Sequence, residues 1–378
     1  MTDERLYVDV HVLQTVPPAN LNRDDNGNPK ESMYGGVRRS RVSSQAWKRA
    51  TRKRFAGRTP KEQHGTRTKT IAARLAERLQ TRAGLEAEPA QRLANALLVP
   101  LGIKPGKKAG DTAYLLFFGY NQLDAIIDKV AGRAADLTLL PDTELTEALK
   151  SVDIKAELAT GHPVDVALFG RMVADIASLN VDAAVQVAHA VSTHAVDPEF
   201  DYFTAVDDEN TADETGAGMI GRVGFNAATL YRYATVNVPQ LEKNLGDQDQ
   251  AVAAVAGFIE DFARSVPSGY QNSFAHQTLP HLVAVVVRGD QPVNLVTAFE
   301  YAVASEEGLA QTSALRLAQE YSTSVDGWGD TPLHTAVFHT FDEKSPAAHG
   351  LAEAFTTSPT FPGLLAGVTF AVWPKGPR

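Results

Sequence analysis

Near the start of the chain, hydrophobic positions recur every second residue: Leu6, Val8, Val10 and Val12 alternate with Tyr7, Asp9 and His11. A period of two predicts a β-strand, and it is unlike the apolar run of a signal peptide. After a polar loop from Pro17 to Pro29, Tyr34 to Val42 reads as a loop entering a short strand on which Arg39 and Arg41 share a face. Ser43 or Ser44 then caps a helix running to about Phe55. On it Gln45, Lys48, Arg49 and Arg52 fall at spacings of three and four and form a polar face, opposite Ala46, Trp47, Ala50 and Thr51.

From about Thr59 to Ala177 the pattern turns helical, with Ile71, Leu75 and Leu79 on one face and breaks at Pro89, Pro100, Pro105 and Pro141. This predicts a helical insertion, after which the alternation of Val185 to Val191 resumes the sheet. Asp207 to Gly224 is polar and glycine-rich, too long for a tight hairpin, and is expected to project as a mobile loop. A strand is expected over 228–238. A helix follows, marked by Val252, Val255, Ile259, Phe262 and Val266 and ended by Pro267. His281 to Val287 reads as a buried strand and 294–304 as another helix, whereas the pattern after about Asp326 is uninformative. No internal repeat is visible. Strands interrupted by a run of helices indicate an α+β fold.

The 378 residues, 44% hydrophobic, suffice for two or three domains with ample core. No cysteine is present, which excludes disulfides and thiolate metal sites and agrees with a reducing cytoplasm. No run approaches the roughly 18 apolar residues of a membrane helix. The net charge of −9 hides a strong segregation. Between Glu31 and Glu62 lie ten Lys or Arg residues and no Asp or Glu, which leaves 26 of the 36 basic residues to face all 45 acidic ones elsewhere. Such a run can be no more than a solvated face. Here a strand end, basic side chains and a helix N-terminus with free N–H groups converge, an arrangement suited to a phosphate backbone held in one groove of an otherwise repelling body.

Other motifs are weaker. Gly216-x-Gly218-x-x-Gly221 matches a dinucleotide fingerprint in letters, but it follows acidic loop residues instead of a strand and opens no helix. Asp24-Asp25 and Asp207-Asp208 could hold a divalent metal, although adjacent carboxylates in polar loops are mostly turn formers. His189 and His194 are spaced unlike a ligand pair, and no H-E-x-x-H, G-x-S-x-G or Walker loop occurs. Tyr202-Phe203-Thr204 before the projecting loop, and Met172 after Gly170-Arg171, are either core or side chains that stack on or wedge between bases.

Five blocks, in order, resemble the CasC-type backbone subunit of the type I-E CRISPR surveillance complex, Cascade, of the RAMP superfamily. They are Leu21-Asn22-Arg23-Asp24-Asp25, Gly35 to Lys53, Val164 to Met172, Phe203 to Asp208, and Tyr231-Arg232-Tyr233-Ala234. The resemblance spans about residue 5 to residue 300 and is loose thereafter. It implies an RNA-recognition-motif-like, ferredoxin-like palm (1–58 and 181–378), an inserted helical fingers domain (59–180) and a thumb within the palm (200–225). It also implies a non-catalytic, cytoplasmic RNA-binding protein of antiviral defence without cofactor or metal. Copies would stack head to tail as a homo-oligomeric filament along the CRISPR RNA, beside other Cascade subunits, leaving guide bases free to pair with target DNA.

By the same resemblance Arg23, Lys30, Ser43, Gln45, Lys48, Arg49 and Arg52 lie at or near the RNA-phosphate groove. Arg39, Arg41 and Arg171 are added as RNA-binding candidates, Met172 is the wedge at a kink, and Tyr202, Phe203 and Thr204 pack at a displaced nucleotide. Tyr202 stands where relatives tend to have Trp. The rival within the superfamily is a metal-dependent ribonuclease using Asp24 or Asp25, and a more distant one is a Rossmann-type enzyme.

Overall fold

The computed structural model describes residues 5–60, 64–103, 106, 108, 111–173, 175–205, 219–304 and 308–373. Its strands are β1 (Tyr7–Ala19), β2 (Glu31–Tyr34), β3 (Val37–Val42), β4 (Gly65–Thr68), β5 (Leu116–Gly119), β6 (Val185–Val187), β7 (Ala190–Ser192), β8 (Glu199–Ala205), β9 (Met219–Asn237), β10 (Leu282–Arg288) and β11 (His334–His339). The first eight helices are α1 (Ser44–Ala56), α2 (Ile71–Ala83), α3 (Ala87–Leu98), α4 (Tyr120–Asp128), α5 (Ala134–Leu139), α6 (Asp142–Leu149), α7 (Ile154–Ala159) and α8 (Val164–Phe169). The rest are α9 (Val238–Leu245), α10 (Gln248–Arg264), α11 (Gln271–Phe274), α12 (Leu309–Trp328), α13 (Pro346–Ala354) and α14 (Phe361–Val372). The fold is mixed α+β. It divides into one unit of residues 1–54, 186–236 and 255–378 and another of 55–185 and 237–254.

The first unit is built on a sheet ordered β11-β10-β1-β9-β7-β3-β2, with β6 and β8 also pairing with β9. β1 runs antiparallel to β10 from Tyr7 opposite Arg288 to Leu13 opposite Leu282. Every residue of β10 is buried, so its unbroken apolar run reflects cover on both faces. The same cover buries Asp9 and His11, the polar half of the β1 alternation. Their burial is tolerated because partners are built in. Asp9 accepts from Arg288 Nε (3.1 Å), Val293 N (2.9 Å) and Tyr233 OH (2.9 Å). His11 Nδ1 pairs with Tyr231 OH at 2.9 Å, and burial pushes this imidazole down to about 3.

The second unit packs α2 to α7 around Ile71, Leu75, Leu79, Leu93, Leu97, Ile126 and Leu149, beside the antiparallel pair β4–β5. Asp165 of α8 accepts from Gly65 N at 2.8 Å.

Four expectations change. The helix expected over 294–304 is one 3₁₀ turn, Leu295–Phe299. Met219 to Gly224, read as loop because of its glycines, is strand, with Gly221 directly opposite Phe203. A Cβ on Gly221 would lie 2.1 Å from Phe203 Cζ, so the glycine makes room for the ring. β4–β5 interrupts the stretch read as helical, and the uninformative C-terminal stretch forms β11, α13 and α14. Residues 206–218, including Asp207-Asp208, Gly216 and Gly218, lie outside the described residues. Among the described residues, no helix is long and apolar enough to cross a membrane.

Candidate nucleic-acid interface

Three short-range devices place the start of α1. Ser43 Oγ accepts from Ala46 N at 3.4 Å as its cap. Asn22 Oδ1 accepts from Ser43 N at 2.9 Å and Asn22 O from Lys30 N at 2.8 Å, so one residue clips the 20–30 loop both to itself and to the helix. Trp47 and Thr51 are buried beneath α1. Thr51 Oγ1 meets Ser265 Oγ at 3.2 Å, and the Trp47 ring lies 3.7 Å from the Arg232 guanidinium carbon. That guanidinium is itself buried, donating to Gln14 Oε1 (2.6 Å) and to the carbonyls of Phe262 and Ala263, and burial lowers its pKa to about 9. Arg232 therefore fixes the rotation of α1.

With that rotation set, a groove of about 810 Å³ opens along the helix. Arg23, Lys30, Ser43, Gln45 and Arg49, five of the residues singled out in the sequence, line it together with Leu21, Asn22, Lys53, Val266, Pro267, Ser268, Gly269 and Gln271. Four cations and no carboxylate are among the lining residues. Ala46 and Ala50 also line it, and their small side chains let a ligand approach the helix backbone.

Lys48 and Arg52 are not lining residues; they occupy the neighbouring row of α1, half-buried, and burial pushes the Lys48 ammonium down. The row at four-residue spacing that faces the groove is Gln45, Arg49 and Lys53, and Lys53 was missed in the sequence. Arg41 lines a second concavity of about 520 Å³ with Asp24, Asp25, Arg38 and Phe200, and its Nη1 meets His189 Nδ1 at 2.9 Å.

Arg39 and Arg171 correct the sequence reading. Arg39 does not share an open face with Arg41 but is fully buried, donating to the carbonyls of Ser192 (2.9 Å), Phe299 (2.8 Å), Glu300 (3.1 Å) and Tyr34 (3.2 Å). Arg171 donates to Leu179 O (2.6 Å), Leu158 O (2.7 Å) and Phe117 O (3.2 Å), and burial lowers it to about 10. Both guanidiniums are spent on backbone carbonyls, which leaves neither disposed to meet a phosphate.

Met172 (83% exposed), Tyr202 (69%) and Phe203 (43%) are not core. Tyr202 sits opposite Arg222 and Phe203 opposite Gly221, so the two aromatics face opposite sides of the β8–β9 ribbon. Arg222 stacks over Phe200 at 3.6 Å and reaches Tyr202 at 5.8 Å. Thr204 is exposed on the Tyr202 side. Asp24 Oδ1 accepts from the backbone N of Asn26 and of Asn28, both at 2.9 Å, as the cap of its own loop. Among the described residues, no group of three or more His, Asp or Glu could hold a metal ion.

A model of the CT1975-like protein family matches residues 8–361. The chain belongs to that family. No curated protein matches it. A solved structure described as "CRISPR RNA-guided surveillance complex, pre-nicking" contains a chain 35% identical, with a TM-score of 0.82 over 97% of this chain and 100% of that one. Another, "CRISPR RNA-guided surveillance complex", contains one 29% identical with a TM-score of 0.63 over the same shares. The α+β fold is thus that of a subunit of such complexes.

Proposed function

We propose that this CT1975-like protein is a CRISPR-associated, non-catalytic backbone subunit of a Cascade-type complex, one that grips CRISPR RNA through its phosphates and presents the bases to target DNA. The observation that carries the reading is the groove along α1, in which Arg23, Lys30, Arg49 and Lys53 converge without a carboxylate. Cations placed this way hold a backbone and read no sequence, as a variable guide requires. The likeness to chains of CRISPR RNA-guided surveillance complexes supports it.

On this reading the sheet unit is the palm, the order β10-β1-β9-β7 being that of a ferredoxin-like core, and the helical insertion is the fingers. β8 and the first residues of β9 belong to the thumb (200–225), and Met172, Tyr202 and Phe203 are each exposed for contact with RNA. Copies stack head to tail, other Cascade subunits cap the stack, and type I-E is the system assigned. Asp24 is taken as a loop cap and not as a ligand for a cleaving metal.

Purification with and without nuclease tests the proposal. RNA of one defined length, protected in a multi-copy particle, is expected. Protein free of nucleic acid that also fails to bind added RNA would refute it. Incubating the particle with Mg²⁺ or Mn²⁺ separates the ribonuclease reading: periodic cuts that vanish in Asp24→Ala or Asp25→Ala would establish catalysis.

A further inference from the structure

The groove has two chemically different walls. One presents the basic side chains of Arg49, Lys53, Arg23 and Lys30, whereas the wall formed by Val266 to Gly269 and Gln271 has no ionisable side chain. This neutral segment is pinned at several points. His276 Nε2 pairs with Pro267 O at 2.9 Å. Gly269 passes so close to the 20–30 loop that a Cβ there would fall 2.4 Å from Asn20 O and 2.5 Å from Leu21 O. Tyr270 is held at φ +48°, a conformation that costs a non-glycine residue about 1 kcal/mol or more, with the Arg23 guanidinium 4.8 Å over its ring. Ser268 and Gln271 are thereby offered, exposed, from a fixed backbone to the same groove as the cations.

Phosphate oxygens only accept hydrogen bonds, so ammonium and guanidinium groups satisfy them. A serine hydroxyl and a glutamine amide each donate and accept, which matches a ribose 2′-hydroxyl, itself both donor and acceptor and the one group deoxyribose lacks. We infer that Ser268 and Gln271 recognise ribose 2′-hydroxyls, so that the groove selects RNA over DNA of the same sequence. The inference rests on this groove being the nucleic-acid site proposed above, and it adds the discrimination that charge alone does not provide.

Anisotropy titrations at one salt concentration, with a short single-stranded RNA and its DNA counterpart, test it on the full chain. Wild type binds the RNA more tightly. In Ser268→Ala/Gln271→Ala the RNA-to-DNA affinity ratio falls by about five-fold for each hydrogen bond lost. Arg49→Gln, by contrast, weakens both strands alike and keeps the ratio. An unchanged ratio in the double variant, or an equal loss on both strands, overturns the inference and leaves the RNA-binding reading standing. Wild type that binds neither strand overturns both.

Discussion

Replacing Arg49 with Gln removes one of the four cations that line the groove, and Lys53→Gln removes a second from the same row of α1. Both positions are exposed, and Gln preserves helix propensity while shortening the side chain, so loss of charge is the main change. If each lining cation neutralises one phosphate, log K falls with log salt at a slope of about −2.8, four times the roughly 0.7 per contact of a single strand. Raising salt from about 50 to about 200 mM then weakens wild type about fifty-fold. For Arg49→Gln the slope becomes about −2.1 and the loss about twenty-fold; for the double variant they become about −1.4 and about seven-fold. Anisotropy titrations of an RNA too short for two copies, at several salt concentrations and with two unrelated sequences, measure these slopes. Equal slopes in wild type and the double variant would refute the assignment of this row to phosphate. A drop seen only in Lys48→Gln/Arg52→Gln would move the interface to the neighbouring row.

Arg39→Ala strands the carbonyls of Ser192 and Phe299 in the interior and is expected to cost about 3 kcal/mol in denaturant unfolding, an effect no exposed groove cation should match. Met172→Ala and Phe203→Ala, both at exposed positions, should leave stability within about 0.5 kcal/mol while altering the pattern of chemically reactive bases in the assembled particle; an unaltered pattern would remove them from the RNA path. His11 is held neutral by burial at about 3, against about 6.5 when unfolded. Between those values the unfolded chain binds the extra proton, so stability falls as pH drops, by about 1.6 kcal/mol from pH 6.5 to 5 for this residue. His11→Gln should lose that share of the pH dependence in urea titrations at the two pH values.

The helix α1 was legible because a serine cap, a buried Trp47 and a basic face agree with one another. Its rotation was not, because that depends on Arg232, far away in the chain, pressing on Trp47. The same distance hid the neutral wall: Pro267 reads only as the end of a helix, and nothing local says that Gly269 after it packs on Asn20 and Leu21. Arg39 and Arg171 look like any other basic residue in a linear string; what separates them from Arg49 is a cage of carbonyls supplied by several elements. The Asp24 loop was readable, since Asp-Asp-Asn-Gly is turn chemistry whatever surrounds it. β9 was half readable. Gly221 and Gly224 mimic a loop until Phe203, on another strand, is seen to occupy the space above Gly221.

β9 is one continuous strand living in two settings. Around Leu230 and Tyr231 it lies inside the sheet, paired with β7 and covered on both faces. From Met219 to Phe225 its antiparallel partner is β8, whose Phe200, Tyr202 and Phe203 are exposed. A two-stranded ribbon with uncovered aromatics is marginal in water. Amide exchange along this strand should therefore grade from the slowest class near Tyr231 to nearly unprotected near Arg222. Whatever covers those rings lengthens the protected part of the strand, so the ribbon acts as a built-in gauge: in the proposed assembly, the number of slow amides would count how far stacking has proceeded.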